Sequence, residues 1–262
     1  KLCEVKIGAI MALSDASIMG LNSHDVDALY LASTTLPYEE KSNATVVATA
    51  VDLRTDIVTA DFSASLRAGT TALKVAVDAV KAGSAKQVLV VASDLRVAQP
   101  RSEFESTFGD GAAAFLVSNG DVAMSIEDSY FISYEIHDVW RANGDIFPRT
   151  WEDRFVVEEG YLKVLPEAAL GLMKKHGLAP KDFSKAVFYA PNARRHQEMA
   201  RKLGFDPKAQ VQDPLFATLG NTGTAFAPML LIAALEEAES GDRILLADYG
   251  NGADAFLLQV TE

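Results

Sequence analysis

Gln87-Val88-Leu89-Val90-Val91-Ala92 is the clearest strand in the chain. After Gln87 every residue is apolar, and such an unbroken run suits a strand covered on both faces, as in sheets that lie between helices. Upstream, Ala68 to Ala82 has helical spacing and closes at Gly83, a residue suited to a C-terminal cap. Before that helix, Asp56 to Phe62 reads as a strand that ends in the small residues Ser63-Ala64-Ser65, and Val26 to Ala32 reads as another buried strand. Downstream, Gly109-Asp110-Gly111 turns the chain into a strand over Ala112 to Val117. Strands alternating with amphipathic stretches predict an α/β protein.

A second series of elements follows Asn119-Gly120. Extended segments over Val122 to Glu135 precede a helix from Glu159 to His176, stopped at Gly177. A strand over Lys185 to Tyr189 leads to a helix from Ala193 to Leu203, capped by Asn192 or the turn before it and stopped at Gly204. A helix over Thr224 to Glu239 and strands over Arg243 to Asp248 and Ala253 to Val260 complete the series. The similar order predicts two related halves, 1–120 and 121–262, sharing one continuous core.

Composition bounds the function. The 262 residues are 49% hydrophobic, enough for a sizeable core. A net charge of -12 disfavours a nucleic-acid partner, whose phosphates an acidic chain repels, but leaves room for a small anion at a local Arg/Lys rim. No apolar run reaches the roughly 20 residues needed to cross a bilayer. No secretory signal is visible, so a cytoplasmic protein is expected. The single cysteine, Cys3, fits a reducing compartment, and the four scattered histidines lack metal-ligand spacing, so no metal is expected.

Three segments carry a family resemblance. Asp61-Phe62-Ser63-Ala64-Ser65-Leu66-Arg67-Ala68-Gly69-Thr70 resembles the strand-to-helix nucleophile turn of the thiolase superfamily. Phe108-Gly109-Asp110-Gly111-Ala112-Ala113-Ala114 and Gly220-Asn221-Thr222-Gly223 resemble its Gly-Asp-Gly-Ala-Ala segment and its catalytic asparagine turn. Asp138-Val139-Trp140-Arg141, Phe147-Pro148-Arg149 and Glu159-Gly160-Tyr161-Leu162-Lys163 are similar to the middle of the 3-hydroxy-3-methylglutaryl-CoA synthase branch. Pro191-Asn192, Lys202-Leu203-Gly204-Phe205 and Gly241-Asp242-Arg243-Ile244-Leu245 continue that branch in order.

The resemblance implies a thiolase-like duplicated fold in α-β-α-β-α layers, with the first half lacking its opening elements because residues before Lys1 are missing. It implies Leu66 and Asn221 around one cavity, a homodimer, a CoA thioester as substrate and no permanently bound cofactor. A zinc-ribbon and OB-fold protein is a possible partner. It also places the family's acyl-accepting cysteine at Leu66, which offers no nucleophile. Ser65 beside it lacks a histidine base.

Tyr189 stands where the family has histidine; a phenol can donate to an enolate or exchange a proton, or it can simply fill the space. Asn221 keeps its match and can donate to a thioester oxygen. Glu4 matches the acid/base glutamate, and equally suits a helix N-terminus. Gly250 and Gly252 resemble the loop at the oxyanion hole, where backbone N–H groups approach unobstructed. Arg194, Arg195 and Lys202 suit CoA phosphates or a solvated helix face. Two functions remain: C–C bond formation or cleavage beside a CoA thioester (aldol, retro-aldol or Claisen type) without an acyl-enzyme, or a catalytically silent CoA-binding or scaffold subunit.

Overall fold

The computed structural model describes residues 23–120 and 122–261. Strands β1 (Ala28–Ala32), β2 (Val58–Phe62), β3 (Gln87–Asp94) and β4 (Gly111–Ser118) form a sheet in the order β2-β1-β3-β4. β1 runs parallel to β2 and β3, and β4 returns antiparallel to β3. β5 (Met124–Ser133) is followed by a small hairpin, β6 (Val139–Trp140) and β7 (Arg149–Thr150). The second large sheet joins β5 to β8 (Lys185–Phe188), β9 (Arg243–Tyr249) and β10 (Gly252–Val260) in the order β5-β10-β9-β8. Among the described residues the longer helices are α1 (Asn43–Ala50), α2 (Ala68–Lys81), α3 (Leu162–His176), α4 (Ala193–Leu203) and α5 (Phe226–Glu236).

Two compact units divide the chain. Of the described residues, the first takes 23–96, 109–120 and Val122 with Thr222–Met229; the second takes Val97–Phe108, Ala123–Asn221 and 230–261.

In the first unit, the two-residue period of the strands sorts the core. Ala28, Tyr30, Ala32, Val88, Val90 and Ala92 face Ala68, Ala72, Ala76 and Val80, which are four residues apart along α2. The intervening Leu29, Leu31, Leu89 and Val91 face Ala44, Val47 and Ala48 of α1. β3 serves both clusters, and its residues from Val88 to Asp94 are all buried. The alanine face lets α2 sit close. Gly69 goes further: a Cβ there would lie 2.6 Å from the Thr224 carbonyl oxygen.

Asp94 closes the end of this sheet. Its buried carboxylate accepts six hydrogen bonds, from the Ser33 hydroxyl, both N–H and hydroxyl groups of Thr34 and Thr35, and the Thr224 N–H. Gly223 is held at φ +65°, and a Cβ there would overlap the Asp94 carboxylate, so glycine is required twice over.

The second unit repeats the order. β8 is parallel to β9, and β9 is antiparallel to β10. On the far side of β8, Val211 forms a single parallel bridge to Ala186, with Ala186 N–H donating to Gln210 O at 2.7 Å and Gln212 N–H to Ala186 O at 3.0 Å. The sequence Val211, β8, β9, β10 thus reproduces β2, β1, β3, β4 in both order and direction.

The helix expected from Glu159 starts earlier, as a short α-helical turn, Asp153–Phe155, that passes into a π-helical turn, Val156–Tyr161, and becomes α3 at Leu162. Within α3, Pro166 has no N–H to return to the Leu162 carbonyl, so that one bond of the ladder is missing. The helix expected over Thr224 to Glu239 resolves into a 3₁₀ turn, Gly223–Ala225, and α5, ending at Glu236. α1, capped by the Ser42 hydroxyl accepting from Thr45 N–H at 3.1 Å, carries no clear apolar stripe and has no counterpart in the sequence reading.

Asp94→Ala is expected to lower unfolding free energy by about 3 kcal/mol or more, because several buried donors lose a charged acceptor together. Urea denaturation followed by circular dichroism measures it; a loss below about 1 kcal/mol would show that these donors find other partners.

Candidate active site

The sites that matter lie at strand ends, where main-chain pairing stops and side chains turn out of the sheet. Tyr189 follows β8 directly, its N–H donating to Ala247 O at 3.0 Å. It is buried, and its hydroxyl oxygen accepts from Asn221 Nδ2 at 2.9 Å. The same amide nitrogen lies 3.4 Å from the Ala190 carbonyl. Asn221 is itself buried and fixed by its main chain, which donates to Thr107 O at 2.7 Å and forms a parallel bridge with Phe108. Left-handed glycines stand on either side, Gly220 at φ +71° and Gly223 at φ +65°, which is why the turn reads Gly-Asn-Thr-Gly.

Tyr161, the last residue of the π-helical turn, donates its hydroxyl to Tyr189 O at 2.9 Å. Tyr249, the last residue of β9, completes a cluster of three rings. Tyr161 lies 6.3 Å from Tyr189 and 5.6 Å from Tyr249, both edge-on, and Tyr189 and Tyr249 stack at 6.2 Å. Burial drives the Tyr161 and Tyr249 hydroxyls well above the usual phenol range. The Tyr249 hydroxyl sits against Gly160, where a Cβ would overlap it. It lies beside the Asp138 carboxyl without completing a hydrogen bond of normal geometry. Asp138 is buried as well, and desolvation raises its pKa above the ordinary 3.8, against the opposing pull of the Val139 N–H at 2.6 Å.

The family profile for 3-oxoacyl-[acyl-carrier-protein] synthase III matches residues 60–135, and the profile for the C-terminal part of that enzyme matches 173–259. The hydroxymethylglutaryl-CoA synthase of Methanopyrus kandleri is 35% identical over 244 residues, covering 92% of this chain and 69% of that protein. The same enzyme of Methanothermobacter thermautotrophicus is 34% identical, with 92% and 70% covered. The chain belongs to the hydroxymethylglutaryl-CoA synthase family of thiolase-like condensing enzymes. The solved 3-oxoacyl-[acyl-carrier-protein] synthase III of Aquifex aeolicus shares this fold, with a TM-score of 0.86 at 24% identity over 97% of this chain and 84% of that one. An HMG-CoA synthase complexed with CoA superposes equally well, at a TM-score of 0.86 and 20% identity over 97% and 70%.

Within this thiolase-like fold the remaining candidate residues differ in setting. Leu66 is half-buried in the turn between β2 and α2, two residues after Ala64, which holds a left-handed φ of +66°. Ser65 shares that turn, its carbonyl accepting from Ala68 N–H at 3.1 Å. The Gly250 N–H donates to Gly252 O at 3.0 Å across the β9–β10 turn, so service to an oxyanion requires that bond to open. Gly252, at φ +123°, lies where a Cβ would overlap the Ile132 carbonyl. Arg194 and Lys202 are exposed at opposite ends of α4, whereas Arg195 pairs with Glu198 at 2.7 Å and Asp153 at 3.6 Å. Glu4 lies outside the described residues. Among the described residues no group of three or more His, Cys, Asp or Glu is placed to hold a metal, and no helix is long and apolar enough to cross a membrane.

Tyr161, Tyr249 and Asp138 were not among the sequence candidates. The one usable signal was Tyr249, a polar aromatic at a strand's C-terminal end just before a glycine turn, where α/β sheets gather ligands.

Asp138 also sets a pH dependence. Its folded pKa is raised, so the folded chain holds this proton more tightly and the associated stability declines as pH rises from about 4 toward the folded value. Asp138→Asn removes that titration and keeps an acceptor for Val139. Relative to the parent, the variant is expected to gain stability between pH 4 and pH 7; urea unfolding at the two pH values giving no gain would place Asp138 in a better solvated setting.

Proposed function

We propose that this chain makes or breaks a C–C bond beside a CoA thioester without forming an acyl-enzyme, with Tyr189 and Asn221 at the reacting centre. The observation that carries the reading is the buried 2.9 Å hydrogen bond from the Asn221 amide to the Tyr189 hydroxyl. An amide donating to the phenol oxygen fixes the direction of the phenol's own proton and eases build-up of negative charge on that oxygen. Such a phenol suits an enolate, the intermediate common to aldol, retro-aldol and Claisen chemistry.

In the cleaving direction a base takes the proton of a 3-hydroxyl group. The C2–C3 bond then breaks, its electron pair passes into the thioester as an enolate, and C2 recovers a proton. Tyr189 stabilises the enolate oxygen or returns the proton. Asp138, with Tyr249 beside it, is a second proton-holding pair, and Glu4 is assigned the family's acid/base role by resemblance. Leu66 supplies hydrocarbon where the family uses a thiolate, so no bond to the acyl group forms there. Arg194 and Lys202 are assigned to the CoA phosphates. β2, at the edge of its sheet and with Val58 60% exposed, is the proposed pairing edge of a homodimer. A zinc-ribbon and OB-fold partner and a cytoplasmic location belong to the same reading.

Intact-mass spectrometry after incubation with acetyl-CoA or acetoacetyl-CoA is expected to show the unmodified chain. A stoichiometric acyl increment mapped to Ser65 would reject the route without an acyl-enzyme.

Tyr189→Phe removes the hydroxyl and keeps the ring packing, so on a responsive acyl-CoA substrate kcat is expected to fall about 10²–10⁴-fold. An unchanged kcat at matched thermal stability makes the tyrosine a space-filler. If no acyl-CoA in a panel responds even with a partner protein, the silent-subunit alternative stands instead.

A further inference from the structure

The end of β8 leaves main-chain groups that its neighbours in the sheet do not take. Phe188 is the last residue in register with β9, opposite Ala247. One residue on, the Tyr189 N–H still reaches Ala247 O, but its carbonyl is a strand-end acceptor in a buried setting. Two side chains take the carbonyls that follow. Tyr161 donates its hydroxyl to Tyr189 O at 2.9 Å, and the Asn221 amide that donates to the Tyr189 hydroxyl lies 3.4 Å from Ala190 O. Tyr189 is thereby held at its N–H, its carbonyl and its side-chain oxygen.

The delivery of Tyr161 is specific. Its side chain, 1% exposed, comes from the π-helical turn, where the Leu162 N–H reaches back five residues to the Val157 carbonyl. Gly160 and Tyr161 are both buried there, and Gly160 leaves the room that the Tyr249 hydroxyl occupies. The residues before this turn are pinned as well. The Glu152 carboxylate accepts from the N–H groups of Arg154 and Phe155 at 3.1 and 2.8 Å. Arg195 of α4 lies 3.6 Å from the Asp153 carboxylate while bonded to Glu198. Burial drives the Tyr161 hydroxyl well above the usual phenol range, so it keeps its proton and stays a donor. Single π turns of this kind gather at functional sites.

We propose that Tyr161 is a positioning residue for Tyr189, its hydroxyl bond to Tyr189 O setting the angle at which the Tyr189 ring leaves β8 and so keeping the phenol oxygen on the Asn221 amide. Its catalytic consequence rests on the reading of Tyr189 as the reacting phenol. With its proton committed to a main-chain carbonyl, Tyr161 acts through its neighbour. Loss of the bond leaves a buried carbonyl without a donor, and the chain around it shifts to find one.

Tyr161→Phe keeps the ring and removes the bond. On a responsive acyl-CoA substrate kcat is expected to fall about ten- to a hundred-fold with KM little changed, the scale of a small misplacement at a reacting group. The double variant decides the route of the effect. In a Tyr189→Phe background, Tyr161→Phe should change kcat by less than about two-fold, because no hydroxyl is left to aim. Equal losses in both backgrounds overturn the proposal, since a merely structural tyrosine costs the same with or without the Tyr189 hydroxyl.

A measurement without substrate separates the positioning from the chemistry. With tyrosine labelled at Cζ the chain gives seven carbon resonances. Tyr161→Phe should shift that of Tyr189 and speed exchange of the Asn221 side-chain amide roughly ten-fold or more. If neither changes, Tyr161 does not position Tyr189, whatever the kinetics. If both change while no acyl-CoA responds, the positioning stands and the thioester reading fails. Should the variant not fold, the parent protein decides. In half-deuterated water its Tyr161 Cζ resonance should split, because a buried, bonded hydroxyl exchanges slowly; a single sharp resonance overturns the proposal.

Discussion

The carboxylate of Asp94 is the constraint on which the first unit is organised. Strand ends in an α/β sheet present main-chain and side-chain donors that no neighbouring strand satisfies. Asp94 collects those of Ser33, Thr34 and Thr35 at the end of β1 and adds the Thr224 N–H from a segment far away in sequence. Its reach dictates composition elsewhere. Gly223 must lack a side chain because the carboxylate occupies that space, and Gly69 must lack one because the Thr224 carbonyl comes so near. The turn that presents Asn221 runs directly into this clamped segment.

A different economy governs the tyrosine cluster. Three phenols and one carboxyl are withdrawn from water in the second unit, and every one of their shifts whose direction is resolved points toward the protonated form. A cysteine–histidine site works the other way, holding a thiolate against an imidazolium. A cluster biased to keep its protons is suited to donating hydrogen bonds to a developing oxyanion and unsuited to presenting a nucleophile.

Legibility from sequence follows how local the determining physics is. β3, β9 and β10 were readable because covered strands are continuously apolar, and α4 because Asn192 and Gly204 mark its two ends through their own side-chain and backbone preferences. α1 was invisible: its eight residues include Thr45, Val46, Val47 and Thr49, which read as extended, and tertiary burial of Ala44, Val47 and Ala48 decides the matter. At the site, Tyr189 and Asn221 were legible by resemblance. Asp138 was not, since nothing around it in sequence announces burial. Tyr161 looked like one more residue of an amphipathic helix. Its contact with Tyr189 O depends on a π-helical register that periodicity assigns to ordinary helix.

The two sheets repeat one topology. In the matched order of the two sheets, the Leu66 turn follows β2, and the Asn221 turn follows the Val211 segment, so the two residues occupy equivalent places. Tyr189 follows β8 as Ser33 follows β1. A duplicated frame thus offers the same pair of strand ends twice. In the first unit that pair is taken by the Asp94 network at Ser33 and by a hydrocarbon at Leu66. In the second it is taken by a hydrogen-bonded phenol and amide. The first unit thus spends its polar side chains on a network that braces strand ends, whereas the second holds a phenol and an amide in direct contact.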